Sequence, residues 1–272
     1  VLLLVDLDGV VYRGRDPVPG VAAVLRERAR RGDRIIYITN NSSRHRDEYR
    51  ARLTEQDVPL AADSIVTAAR ATALMLAQRS PRPERLMVLG GAGLRRELRD
   101  VGLRVLAPTD GGLAGQPDTL VVGVDFHLSY HRLSIAADAV RRGALFVATN
   151  CDPVFPAAND ELWAGAGSVV AAVGTAAGRQ PDVVIGKPAR GLMDAAASLA
   201  GGRAEDAVVI GDSLFSDIAG AQAVGARSIL MLTGVTTPEM VAGLSAAERP
   251  TAVARDAAEL ASALDQLARV SR

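Results

Sequence analysis

Four short apolar runs in this chain end in a polar residue, and that repeated ending restricts the fold more than any other feature. Leu2-Leu3-Leu4-Val5 stops at Asp6, and Ile35-Ile36-Tyr37-Ile38 stops at Thr39. Val183-Val184-Ile185-Gly186 leads to Lys187, and Val208-Val209-Ile210-Gly211 leads to Asp212. Runs rich in β-branched residues and apolar on both faces are the signature of strands buried inside a parallel sheet. Residues 229–232 give a further strand, and amphipathic stretches at 21–31, 44–53, 216–224 and 257–270 read as helices. Strands alternating with helices predict an α/β fold: a doubly wound parallel sheet covered on both sides.

The middle of the chain repeats the pattern with different detail. Residues 86–89, 101–106, 120–124 and 145–148 are expected strands, with helices over 94–99 and 129–142. Proline- and glycine-rich turns at 80–83 and 178–181 mark junctions. The expected organisation is therefore a core from residues 1–79 and 181–272, interrupted by an inserted α/β domain over 80–180. At 272 residues the chain exceeds one ordinary hydrophobic core, which agrees with two domains.

Composition removes several function classes. Lys plus Arg and Asp plus Glu both total 31, so the basic excess of a nucleic-acid binder is missing. The cluster Arg26, Arg28, Arg30 and Arg31, interleaved with Val24, Leu25 and Ala29, reads as a solvated helix face. The apolar run at residues 1–5 is far too short for a membrane span or a signal-peptide core. Cys151 is the only cysteine, so neither an intrachain disulfide nor a cysteine metal cluster is available, and a reducing, cytoplasmic setting is expected.

The strand-end residues have a joint chemical logic. In an open parallel sheet, ligands bind outside the carboxyl ends of the strands, so these endings can converge on one site. Singly, each has a plain structural reading: Asp8-Gly9 as a turn, Lys187 before Pro188 as a helix start, Gly211-Asp212 as a strand-to-helix turn. Together, Asp6, Asp8, Asp212 and Asp217 in one cleft would repel one another without a cation. A hard divalent ion with oxygen ligands, plus a lysine, would supply the charge that lets a carboxylate approach an anionic phosphate ester. Magnesium suits such a site.

Asp6-Leu7-Asp8-Gly9-Val10, Thr39-Asn40-Asn41-Ser42, Gly186-Lys187-Pro188, and Gly211-Asp212 with Asp217 resemble the four motifs of the haloacid dehalogenase superfamily. The likeness is closest to its p-nitrophenyl phosphatase, phosphoglycolate phosphatase and pyridoxal phosphate phosphatase branch. It runs on through Thr149-Asn150-Cys151-Asp152-Pro153, Gly165-Ala166-Gly167-Ser168 and Leu232-Thr233-Gly234-Val235. The resemblance implies a Rossmann-like core with an inserted α/β cap. It implies a magnesium-dependent phosphatase that hydrolyses small-molecule phosphate monoesters through an aspartyl-phosphate. Asp6 would be the nucleophile, and Asp8 the acid that protonates the leaving group and then the base that activates water. Thr39, the Asn40 backbone and Lys187 would hold the phosphate. Magnesium would sit on Asp6, the Asp8 carbonyl and Asp212, with Asp217 one layer behind. Two departures from the branch are Ser213, where arginine is common, and Ser216, where threonine is. A homodimer formed through the cap is expected by analogy only. A phosphotransferase or mutase on the same fold, and a non-catalytic binding or regulatory protein, are the competing readings. Intact Asp6, Asp8, Lys187 and Asp212 count against the second.

The insertion is large enough to lie over the cleft as a roof, admitting small esters and excluding protein surfaces. Asn159-Asp160-Glu161-Leu162-Trp163, followed by Gly165 and Gly167, is the candidate specificity loop, with Asp160, Glu161 and Trp163 as its chemistry. The alternative for the loop is a solvated turn, and for Trp163 a packed residue. Gly90-Gly91-Ala92-Gly93 fails the dinucleotide-binding spacing because Arg96 occupies the third glycine position. His127 and His131 lack the glutamate of a zinc protease.

Overall fold

Leucine and valine fill the strand Leu2–Asp6 on both faces, and every residue of it is buried. It lies inside a six-stranded sheet whose order is Ala252–Ala254, Arg227–Met231, Ala207–Gly211, Leu2–Asp6, Arg34–Thr39, Ile65–Thr67. The pairings from Ala252–Ala254 through Arg34–Thr39 are all parallel. This computed structural model describes residues 1–156 and 161–270. Helices cover the sheet, and Leu3, Val5, Tyr37, Ile210, Leu25 and Leu264 belong to one apolar cluster. Truncating a side chain such as Leu3, which has no exposed surface, costs about 2–5 kcal/mol.

A second parallel sheet has the order Val183–Val184, Leu145–Ala148, Thr119–Val122, Leu86–Leu89, Val105–Leu106. Met87, Leu120, Val122, Phe146 and Val173 anchor its separate apolar cluster. An antiparallel pair joins Val154–Pro156 to Leu162–Ala164. The chain divides into two compact units: Val1–Thr39, Tyr49–Val66 and Lys187–Arg272 in one, Asn40–Glu48 and Thr67–Gly186 in the other. Among the described residues no helix is long and apolar enough to cross a membrane.

Several expectations change in detail. The strand expected over 101–106 is only Val105–Leu106, because the chain turns at Gly102, whose φ of 75° lies in the left-handed region. The run at Val183 contributes a strand to the second sheet, although its terminal Lys187 belongs to the first unit. The arginine cluster is not a solvated face throughout. Helix Val21–Arg30 packs on helix Ala257–Val270, which buries Arg28. There the guanidinium donates to Asp33 Oδ2 at 2.5 Å and Asp265 Oδ1 at 3.0 Å, as a buried charge requires.

Candidate active site

Strand order in the six-stranded sheet reverses across Leu2–Asp6, with Arg34–Thr39 on one side and Ala207–Gly211 on the other. A crevice opens outside the carboxyl ends of strands at such a switch point. Asp6 closes the first strand, Thr39 closes the second, and Asp212 directly follows the third. All three are buried. Lys187 stands just ahead of helix Gly191–Leu199, and its ammonium donates to Asp6 Oδ1 and, at 2.6 Å, to Asp217 Oδ1.

Asp217 is delivered by a single π turn, Leu214–Ile218, the kind of local over-winding that proteins use to re-aim a side chain. Ser213 builds that turn. Its hydroxyl accepts from Ser216 N at 3.2 Å, and its own N–H donates to Asp217 Oδ2 at 3.1 Å. The serine that replaces the branch's usual arginine is thus a turn cap. Asp212 is held by the loop after strand Arg227–Met231: Val235 N donates to Asp212 Oδ2 at 2.8 Å, and Thr233 Oγ1 donates to the Gly9 carbonyl at 2.6 Å. Gly9 and Gly234 lie so close to Asp212 that a β-carbon on either would overlap its carboxylate, and Gly211 stands likewise against Asp217. These loop contributions were not assigned a role from sequence. The signal was present, since Leu232-Thr233-Gly234-Val235 is one more apolar strand ending in polar and glycine residues.

The electrostatics follow from burial and crowding. Burial pushes the Asp6 carboxyl well above its ordinary range; Lys187 opposes this, while Asp217, Asp212 and Asp8 push the same way. Asp212 is raised to about 7, by burial first and then by Asp217, with the Val235 N–H and Lys187 acting against it. Burial works against the Lys187 ammonium, but Asp217 and Asp6 outweigh it and hold its pKa above the usual lysine value. Oxygens of Asp6, Asp212 and Asp217 lie within 4.8 Å of one another. Three ionised carboxylates facing one ammonium leave a double negative charge, which is what a hard divalent cation neutralises. Asp217 commits one oxygen to Lys187 and the other to Ser213. Lys187 engages one oxygen of Asp6 and Val235 one of Asp212, so each of those carboxylates has a second oxygen to offer a cation. The donor set fits magnesium.

Asp8 is exposed, two residues beyond Asp6 in the turn before Tyr12, and its charge is felt at both Asp6 and Asp212. Asn40 belongs to the second unit, where its amide donates to Asp152 Oδ2 at 2.9 Å. Glu161 and Trp163 are also in that unit, joined by Trp163 Nε1 donating to Glu161 Oε2 at 2.8 Å. Trp163 is not a packed residue: it is 50% exposed and meets Phe126 and Phe155 edge to face. Asp160 lies outside the described residues. His127 and His131 are exposed, and buried Asp125 pairs with Arg132 at 2.7 Å.

Residues 3–104 match the haloacid dehalogenase-like hydrolase family, and residues 184–260 match a HAD-hydrolase-like family. The chain is 38% identical to the D-glycerol 3-phosphate phosphatase of Mycobacterium tuberculosis, over 93% of this chain and 69% of that protein. A p-nitrophenyl phosphatase structure from Archaeoglobus fulgidus superposes with a TM-score of 0.86 at 32% identity, covering 96% of this chain and 98% of that one. A magnesium complex of the Mycobacterium tuberculosis glycerol phosphate phosphatase superposes with a TM-score of 0.84 at 38% identity, covering 95% and 75%.

Proposed function

The chain belongs to the haloacid dehalogenase-like hydrolase family, and from that premise we propose a division of labour in which Asp6 is the nucleophile and Asp8 the acid and base. The protein is a magnesium-dependent phosphoric monoester hydrolase. The observation that carries the assignment of roles is the buried Lys187 ammonium shared between Asp6 and Asp217, with Asp212 alongside.

In the proposed reaction an Asp6 oxygen attacks phosphorus, and the ester oxygen departs with the proton of Asp8. Asp8, now ionised, takes a proton from water. That water attacks the aspartyl-phosphate, which releases inorganic phosphate and restores Asp6. Lys187 carries a permanent positive charge to the phosphate oxygens, and Thr39 with the Asn40 N–H orients them. Asp6, the Asp8 carbonyl and Asp212, with Asp217 behind them, would hold magnesium, which would supply the charge that lets one anion approach another. Asp8 is exposed where Asp6 is buried, which suits a group that must exchange protons with solvent.

The substrate we propose is a small ester with a neutral hydroxylated leaving group, and glycerol phosphate is the first to test, given the mycobacterial relative's name. A core of residues 1–79 and 181–272 with a cap over 80–180 belongs to the same reading, supported by the separate apolar cluster from Met87 to Val173. So does a homodimer through the cap, supported by the exposed apolar side chains Phe126, Leu128, Leu162 and Trp163. A cytoplasmic setting rests on the single cysteine.

Turnover of p-nitrophenyl phosphate and glycerol phosphate, with magnesium and with chelator, tests the proposal. Turnover that needs magnesium and disappears in Asp6→Asn is expected. Appreciable activity of purified Asp6→Asn would remove Asp6 from the role of nucleophile.

A further inference from the structure

Two residues proposed to hold the phosphate have chain neighbours in the second unit: Asn40 follows Thr39, and Gly186 precedes Lys187. Both neighbours are tied to one short segment, Thr149-Asn150-Cys151-Asp152, which leaves strand Leu145–Ala148. Asn150 is 3% exposed, and its Nδ2 donates to the Asn40 carbonyl at 2.7 Å. Asp152 Oδ2 accepts from Asn40 Nδ2 at 2.9 Å. On the other neighbour, Gly186 N donates to the Thr149 carbonyl at 2.8 Å. A β-carbon on Gly186 would stand 2.6 Å from the Asn150 β-carbon and 2.7 Å from Asn40 Oδ1, so only glycine fits.

The segment is internally braced. Asp152 N donates to Asn150 Oδ1 at 3.1 Å, which fixes the end of the Asn150 amide that faces Asn40. Thr149 Oγ1 meets Ser42 Oγ at 3.0 Å, anchoring the chain two residues past Asn40. Asn40 has its side chain held by Asp152 and its carbonyl by Asn150, and its N–H lies in the peptide plane shared with Thr39, the last residue of strand Arg34–Thr39. The direction of its N–H is thereby set before any phosphate arrives. A backbone donor aimed in advance gains more than a mobile one, because no reorganisation accompanies the reaction.

We infer that Asn150 and Asp152 are positioning residues for the phosphoryl group, acting through Asn40 on one side and through Gly186 and Lys187 on the other. This rests on the reading of Thr39, Asn40 and Lys187 as the groups that hold phosphate. The pair does not touch substrate, so the effect falls on the phosphoryl end of every ester alike and not on the leaving group.

The decisive variants are Asn150→Asp, which keeps the shape and loses the donor, and Asp152→Ala with Asp152→Asn as its conservative partner. In Asn150→Asp and Asp152→Ala, kcat/KM falls roughly 10- to 100-fold, by the same factor for p-nitrophenyl phosphate and glycerol phosphate. The inhibition constant for orthovanadate, a mimic of the phosphoryl group in transfer, rises by that factor. Asp152→Asn, which still accepts a hydrogen bond, stays within about threefold of the parent, a difference small beside a lost hydrogen bond. A folded Asn150→Asp with the parent's kcat/KM and vanadate constant overturns the inference, as does a loss that depends on the leaving group. If Asn150→Asp does not fold, the same two measurements on Asp152→Ala decide. Failure of the underlying reading looks different: vanadate would then fail to inhibit the parent enzyme itself.

Discussion

Each of the two units is built on a parallel sheet of apolar strands, but the strands end differently. In the six-stranded sheet the ends carry Asp6, Thr39 and Asp212. In the five-stranded sheet Leu86–Leu89 is followed by Gly90, Thr119–Val122 by Gly123, and Leu145–Ala148 by Thr149. Gly123 leaves room there for the hydroxyls of Ser42 and Thr149. The contrast is one of charge balance, not of burial. Glu97 in the second unit is as deeply buried as any acid in the first, yet it accepts from the Arg46 backbone at 3.0 Å and from the Arg46 guanidinium, with His45 at 3.5 Å. Its charge is answered within the protein. The cluster around Asp6 is buried and holds more carboxylates than Lys187 can answer, so Asp6 and Asp212 are pushed towards their neutral forms until a cation compensates them. That separates a site that takes a cation from a structural ion pair.

The sharpest way to break this contrast is at Asp6. Asp6→Asn should lower kcat by at least about a thousandfold while the protein stays folded, since the amide is nearly the same shape. Steady-state rates beside a circular dichroism spectrum check both halves. At Glu97 the loss should be in stability: Glu97→Leu removes the acceptor of the Arg46 N–H and leaves the guanidinium to Asp100, which costs about 1–3 kcal/mol by denaturant unfolding. Magnesium should still raise the melting temperature of that variant. A magnesium response lost in Glu97→Leu would mean that the two acids are not so different.

A smaller effect concerns pH. Asp212 is raised to about 7 in the metal-free protein, so its neutral form is the one favoured by folding. Without metal, this group's contribution is fully present below the ordinary aspartate range and is lost as pH rises from about 4 to about 7. Magnesium binds the ionised form, so it should raise the melting temperature more at pH 8 than at pH 5, by on the order of a few degrees. A scan with chelator and with magnesium at both values measures it, and Asp212→Asn should shrink the difference without abolishing it, because the raised Asp6 carboxyl must also ionise to meet the cation. Least of all should follow from Trp163→Ala. The edge-to-face contacts at 6.1 and 6.3 Å are half in water, so about 1 kcal/mol or less of stability is expected to go. A loss several times larger would mean that the aromatic trio is a true core.

Sequence reading did well where side-chain pattern alone decides structure. Apolar β-branched runs with abrupt polar ends gave the strands at residues 2–6, 34–39 and 207–211 to within a residue or two. Helices Ala68–Gln78, Ala166–Ala177 and Gly191–Leu199 left little trace, because they are rich in alanine, with few charged residues to mark a solvent face against the apolar one. Arg28 was misread because a charge run on a helix says nothing of the acid that waits on another helix, here Asp265. The carboxylates at the strand ends were legible as positions. The approach of Asp217 to Lys187 was not, since it depends on an unusual turn and on the Ser213 cap.

The strand that carries Asp6 precedes in the chain almost everything it pairs with, and its neighbour on one side begins only at Ala207. During synthesis on the ribosome, Leu2–Asp6 therefore emerges long before that neighbour does. The stretch from Thr67 to Gly186 is contiguous and can condense in the meantime, since domains fold as units while the chain lengthens. An apolar edge of the first sheet stays without its partner throughout that interval, exposed to chaperones or to other nascent chains. Lys187, Asp212 and Asp217 join Asp6 only at the end. A chain cut short before residue 207 carries the aspartate at position 6 but cannot bring it the acid at 212, so incomplete products are born without a metal site.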